Sequence, residues 1–462
     1  MSRERTASAA TVGFACLAML VSYLPFSAAN GALGTIAAST GAQTSDLQWV
    51  TDAFAVALGA TVLSAGVLGD LYGRRRTAVL GLGLTVAGTA LDVAAGAASA
   101  IHLLWVGQAL AGIGGGMVMS ATLALIAVRP RAIPLWAAAV VVGLGGGPFV
   151  ASAVTGYAAW QWTFAPIGVL ALATAAFGLA RSGESSAPDG RRLDVPGQVT
   201  GSMGIAALTF AVISGGSAGW RAPLTVAAFV LAAAGLVAFA LVERHSAAPL
   251  FRPSLFASRG FTAAGLAATA VLFAMGGGAF VLSLFFSGQH VGALGIATRL
   301  GCLFAANALA SLAAGSLQGR FGPRPVLVGG LVIAALGALS LLTVAAGTGL
   351  GGLAWRLVVL GTGSGLVMAT SSAVAVRSVP GPLAGMAGAG NNAMRQLGAA
   401  LGPAVIGVLV GARTGTGLVG AVHVAAAVLA AIFATTAVTA ALLLRTRNVA
   451  STVPMTTLER TA

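Results

Sequence analysis

Gly66-Val67-Leu68-Gly69-Asp70-Leu71-Tyr72-Gly73-Arg74-Arg75-Arg76 separates two long apolar runs, Leu47 to Leu68 and Thr77 to Ala95. Each run is long enough to cross about 30 Å of hydrocarbon at about 1.5 Å per residue. The connection is then a tight turn at a membrane surface, and its three consecutive arginines assign that surface to the cytoplasmic side. Asp70 stands four residues before Arg74, a spacing that joins carboxylate and guanidinium if helix continues through the turn. Gly66 and Gly73 let neighbouring backbones come close. A plain hairpin needs only the arginines. An acid, an arginine and two glycines together suggest a jointed contact that opens and closes: a cytoplasmic gating loop of Gly66, Asp70, Gly73 and Arg74.

Working outward, the composition agrees with a chain in lipid. It is 58% hydrophobic and 7% charged over 462 residues, with 66 glycines, which suits helices that associate through small residues. The net charge of +14 does not point to nucleic acid. Its arginines are scattered between apolar runs without aromatic interleaving or a basic stripe. Every basic residue is arginine, so there is no Schiff-base or P-loop lysine. Cys16 and Cys302 lie in apolar runs, and the four histidines show no ligand spacing, so no disulfide, metal or other cofactor is expected. No nucleophile–base pair suggests an enzyme.

Fourteen spans are expected, near 12–37, 47–69, 77–96, 100–127, 133–158, 162–181, 198–216, 222–242, 261–286, 291–316, 325–346, 351–376, 383–411 and 418–444. Charged stretches after the sixth and eighth spans divide the chain into 1–190, a six-helix bundle; 191–250, two inserted helices; and 251–462, a second six-helix bundle with a short tail. With the N-terminus inside, nearly all loop and tail arginines fall on the inner side, and only Arg221 and Arg413 fall outside. Both termini are therefore expected inside the cytoplasmic membrane.

The two bundles read as a repeat. A shift of 249 residues lays Gly66, Leu68 and Gly73 on Gly315, Leu317 and Gly322, and Gly112, Gly114 and Gly116 on Gly361, Gly363 and Gly365. A shift of 255 lays Gly143, Gly147 and Pro148 on Gly398, Gly402 and Pro403. Asp70 has no counterpart in the second half; Gly319 stands opposite. Parallel halves of this kind are a transporter architecture with the substrate bound between them near the midplane.

These motifs resemble the major facilitator superfamily. The loop 66–76 is similar to its signature between the second and third helices, and Gly143-x3-Gly147-Pro148 to its antiporter motif. Leu47-Gln48-Trp49-Val50-Thr51-Asp52-Ala53-Phe54, Trp160-Gln161-Trp162 and Asn391-Asn392-x2-Arg395-Gln396 resemble the fourteen-helix drug:proton antiporter family. The resemblance implies an all-α membrane protein that exports small, largely apolar, drug- or antibiotic-like compounds in exchange for protons. Functioning as a monomer is expected, with substrate, protons and the lipid bilayer as its partners. Two alternatives stand beside this: an importer or uniporter of the same fold, or a transport-inactive sensor or scaffold. The family pattern is broken where Pro25 replaces an acid of the first helix, near Asn30, and where Gln108 replaces an arginine of the fourth. Asn30, Gln108, Asn391 and Arg395 are the candidate polar residues of the cavity. Among the acids, only Asp52 and Asp92 are expected inside spans, which makes them the candidates for proton coupling, Asp52 before Asp92.

Overall fold

A computed structural model describes residues 9–126, 129, 132–186, 194–246, 253–380, 383–411 and 417–444. These contain fourteen α-helices, in order α1 Ala9–Thr40, α2 Thr44–Tyr72, α3 Arg74–Ala97, α4 Ile101–Ile126, α5 Ile133–Thr155, α6 Phe164–Arg181, α7 Val195–Ser217, α8 Pro223–His245, α9 Arg259–Gly288, α10 Ala293–Phe321, α11 Pro323–Ser340, α12 Leu350–Arg377, α13 Ala384–Val410 and α14 Gly417–Leu443. Thirteen meet the length and apolarity of a membrane span outright. The remaining one, α2, does so as a helix bent by 52° between Val62 and Ser64. The bend has a cause. The carbonyl of Ala60 accepts a hydrogen bond from Gln198 of α7, and that of Val62 from Ser120 of α4. Side chains that compete for ladder carbonyls kink a helix.

The expected spans are present, with altered ends. Helix α2 continues to Tyr72, so the connection expected over 70–76 shrinks to Gly73, whose φ of 108° is open to glycine and costly for other residues. A 3-10 turn, Trp160–Thr163, precedes α6, and another, Leu341–Thr343, ends the α11 span. The ninth and tenth spans are joined by a short hairpin, with α9 closing at Gly288 and α10 opening at Ala293. The boundaries expected at 190/191 and 250/251 lie outside the described residues.

Helices α1–α6 pack among themselves, as do α9–α14, in matching pairs: α1 on α5, α2 and α3 on α4, and α3 on α6 in one half; α9 on α13, α10 and α11 on α12, and α11 on α14 in the other. Glycine positions register the repeat. A methyl group on Gly112 would run into the carbonyl of Phe54, and one on Gly361 into that of Leu303. Gly114 is held equally close to Gly81, and Gly363 to Gly330. Gly143 abuts the carbonyl of Leu20, and Gly398 that of Thr269. The residues touched (Phe54 and Leu303, Gly81 and Gly330, Leu20 and Thr269) all obey the 249-residue shift, while Gly143 and Gly398 keep their 255, so the two bundles are packed alike at the level of single backbone atoms.

The halves meet along two seams, α2 against α13 and α5 against α10, with α1 touching α9 between them. The inserted helix α7 lies on both α2 and α13. It is backed by α8 through a close crossing at Gly204 and Gly235. Along its length α8 presents exposed Leu224, Val230, Leu231, Val237 and Leu241, an apolar face suited to lipid.

Candidate functional site

Between the halves, midway along the helices, lies a narrow slit with a cavity volume of about 30 Å³. Phe26, Phe54, Leu144, Leu272, Met275, Leu300 and Phe304 give it apolar walls, and α1, α2, α5, α9, α10 and α13 all contribute. Its polar groups are neutral: Tyr23, Ser27, Asn30 and Gln396. Among the described residues, no charged side chain lines it. Gln396 donates to the Tyr23 hydroxyl at 3.1 Å, a hydrogen bond that joins the two halves across the slit. Pro148 forms part of the wall, and Gly147 lets α5 lie directly against Ser27 and Ala28 of α1. Gly143 and Gly147 thus hold α5 against α1, with Ser27 donating to the Gly143 carbonyl at 2.7 Å. Pro148 sits where this contact reaches the cavity.

The other expected cavity residues are distributed differently. Asn30 lines the slit and donates to the Phe26 carbonyl at 3.0 Å. Gln108 does not reach it. Glycines draw α3 and α4 so close that the Gln108 side chain turns into their interface, where it donates to Asp92 at 2.8 Å. Asp92 is fully buried there. Arg395 lies between α13 and α12, donating to the Met368 carbonyl at 3.1 Å and to Ser372 at 2.8 Å. Asn391 shares Ser372 at 3.3 Å. The arginine and asparagine therefore meet through a common hydroxyl on the C-terminal side of the slit.

Asp52 is fully buried, and neither carboxylate oxygen has a hydrogen-bond partner among the described residues. Its place on α2 is fixed by its neighbours. One turn before it, Gln48 donates to the carbonyls of Pro403 and Ala404 at 3.3 and 3.2 Å. Two turns after it, Gly59 rests on Gln396. Gln48, Asp52, Ala55 and Gly59 follow helical spacing, which puts Asp52 on the face turned to α13. Ala55, on that same face, lines the slit.

At the cytoplasmic joint the predicted pair forms. Arg74 Nη2 lies 2.8 Å and Nε 3.1 Å from Asp70 Oδ1, and Nη1 donates to the Ala124 carbonyl of α4 at 3.3 Å. The pair does not need continuous helix: Gly73 breaks the helix between its members and still brings them together. Gly66, the first member of the predicted loop, lies inside α2, where a methyl group would touch only Ser120 at 3.9 Å.

Sequence reasoning missed Glu184. Its carboxylate accepts the backbone N–H groups of Arg75 and Arg76 at 2.8 and 3.2 Å and lies 3.6 Å from the Arg75 guanidinium. The next residue, Ser185, accepts the Arg74 N–H at 2.9 Å. Glu184 therefore caps α3, satisfying donors that a helix start leaves open and meeting the positive end of its dipole. It also occupies the space a side chain on Gly73 would need, at 2.8 Å. The only signal in the sequence was the first acid of the charged stretch after the sixth span.

The model of the Major Facilitator Superfamily matches residues 15–299, 184–403 and 265–457. The chain is 33% identical over 440 residues to the cephamycin export protein CmcT of Amycolatopsis lactamdurans, covering 89% of this chain and 87% of that one. It is 29% identical over 411 residues to a methylenomycin A resistance protein of Bacillus subtilis (strain 168), covering 85% and 86%. Among solved structures, a POT family transporter in complex with 5-aminolevulinic acid superposes with a TM-score of 0.67. It is 11% identical and covers 94% of this chain and 96% of that one, a likeness of fold.

Proposed function

The chain belongs to the Major Facilitator Superfamily, and from that premise we propose how it works. It is a membrane transporter that exports small, largely apolar, drug- or antibiotic-like compounds; relatives named for cephamycin export and for methylenomycin A resistance support antibiotic export. The observation that carries the substrate class is the slit itself: apolar walls, four neutral polar groups and no charged side chain. Such a site favours uncharged or weakly polar molecules, because a desolvated ion would find no counter-charge there. Rocking of the two halves about the slit would expose it to each side in turn.

In our reading the chain lies in the cytoplasmic membrane as a monomer with both termini inside, as the arginine bias indicates. Protons drive the exchange, and Asp52 carries them. A buried carboxylate without a partner is costly when ionised, and binding a proton removes that cost. Asp52 also stands on the α2 face that follows the opening of the α2–α13 seam, so proton binding and the position of the halves bias one another. Asp92 is the second candidate; Gln108 already engages one of its oxygens. Asp70 and Arg74 latch the cytoplasmic side when the slit faces out.

Inverted membrane vesicles test the reading. Uptake of lipophilic antibiotics from a panel should be driven by an imposed inside-acid gradient and abolished by a protonophore. Uptake of no compound by vesicles rich in the protein would overturn export. Uptake indifferent to the gradient would remove protons as the driving ion.

A further inference from the structure

Repetition gives the molecule two equivalent seams, and they are closed by different chemistry. Along α2–α13 the closure is polar: the Gln48 amide reaches two α13 carbonyls, and Gln396 lies on Gly59. That seam is also covered from outside by α7. Phe210 packs 6.1 Å from the Trp49 ring, Gln198 engages Ser64 and Ala60, and Gly216 seats Val408 of α13.

No hydrogen bond crosses α5–α10 among the described residues, and no inserted helix covers it. Two phenyl rings on two glycines close it instead. Phe304 of α10 lies over Gly145, its Cβ 3.0 Å from where a methyl group on that glycine would sit. Phe149 of α5 lies over Gly301, with its ring tip at 3.2 Å. The two rings stand in series. Phe304 is 7% exposed and lines the slit, whereas Phe149 is 43% exposed on the outer surface of the molecule. Under the repeat, Phe304 and Gly145 correspond to Ala55 and Ala400, and Gly301 and Phe149 to Asp52 and Ala404. Neither aromatic plug has a counterpart at the covered seam.

We propose that the α5–α10 seam is the passage through which the slit exchanges lipophilic substrate with the bilayer, with Phe304 as its inner plug and Phe149 as its outer one. A compound dissolved in hydrocarbon reaches the slit there by displacing two rings that hold no hydrogen bond. At α2–α13 it would meet α7 rather than lipid. Phe149 lies two turns from the end of α5 that leads to α6, so the passage opens into the leaflet on that side, the outer one in the orientation proposed above. The two rings then select for molecules that partition into the membrane and are slim enough to pass between helices. The transport role of the passage rests on the export reading; its existence does not.

The test uses full-length protein in liposomes, with Cys16→Ala and Cys302→Ala as background and one cysteine in place of Ala279, a slit-lining residue of α9. Pyrene maleimide dissolved in the bilayer and a charged methanethiosulfonate in the water serve as probes. Phe149→Ala and Phe304→Ala should each speed labelling by the bilayer probe about tenfold, equivalent to about 1.4 kcal/mol less to part the helices. The aqueous probe should be unaffected, and so should the bilayer probe when Phe210→Ala is introduced on α7. Bilayer labelling that ignores Phe149 and Phe304, or responds as strongly to Phe210, overturns the passage. Phe149→Leu, which keeps an apolar side chain against lipid, should give an intermediate rate and guards against misfolding of the alanine variants. If the labelling pattern holds while the parent protein exports no antibiotic of the panel, the export reading fails and the passage stands.

Discussion

At the α2–α3 joint the chain turns on Gly73, and at the α10–α11 joint it turns on Gly322, with φ of 108° and 83°. The first joint is crowded. Asp70, Arg74 and Glu184 converge on it, and Arg75 sends its guanidinium to the Ser182 carbonyl at 3.1 Å. The second is sparser: Gly319 occupies the place of Asp70 and has nothing beside it, Arg320 rests on the ring of Phe321, and Arg324 donates to the Ala441 carbonyl of α14 at 3.3 Å. The same contrast runs through the spans, since the buried acids Asp52 and Asp92 belong to the first half and the spans of the second contain none. What the halves share is what packing demands, the glycines that let backbones touch. What they do not share is acid, which the spans of the second half lack while it serves as the surface against which the first half moves.

Six substitutions break or sharpen that contrast. Gly112→Val and Gly361→Val should be equally severe, each costing about 3 kcal/mol or more by forcing a side chain into a backbone carbonyl. Neither should yield monodisperse protein in size-exclusion chromatography. A tolerant site in one half would break the symmetry of packing. Asp52→Asn should abolish substrate-driven proton movement in proteoliposomes while substrate still binds; coupling with unchanged stoichiometry would transfer the role to Asp92 or to no carboxylate. For Asp70→Asn, loss of about 1 kcal/mol from one conformational state should slow transport about fivefold at normal expression. Gly319→Asn, in the acid-free joint, should leave the rate unchanged. Glu184→Gln removes only the charge of a cap, worth about 0.3–1 kcal/mol, and should lower the thermal midpoint of the purified protein slightly. No change there would reduce Glu184 to a spacer.

The spans, the repeat and the Asp70–Arg74 pair were legible because they rest on local rules: apolar run length, glycine spacing, and charges four residues apart. Residues that act across distance were not. Glu184 meets Arg75 from 109 positions along the chain, and nothing near Glu184 announces a helix start to be capped. Gln108 and Asp92 each read as a polar residue in an apolar run. Their pairing depends on how tightly glycines draw α3 to α4, which turned Gln108 from the cavity where it was expected. Phe149 and Phe304 are indistinguishable in sequence from rings facing lipid, and only the uncovered seam gives them meaning. The bend in α2 has no proline to signal it; it arises from hydrogen bonds donated by two other helices.

The hydrogen bonds around Glu184 tie down more than one helix start. Gly183 donates to Thr11 at the beginning of α1, Ser185 holds the start of α3, and Arg75 grips the last carbonyls of α6. The first half is thus fastened at both of its own ends before the chain passes on to α7. A protein severed within 187–193 would keep all of these contacts in one fragment. Its two fragments, made separately in one cell, should find each other and restore a working carrier, so the covalent link between the halves is a convenience of synthesis rather than a part of the machine.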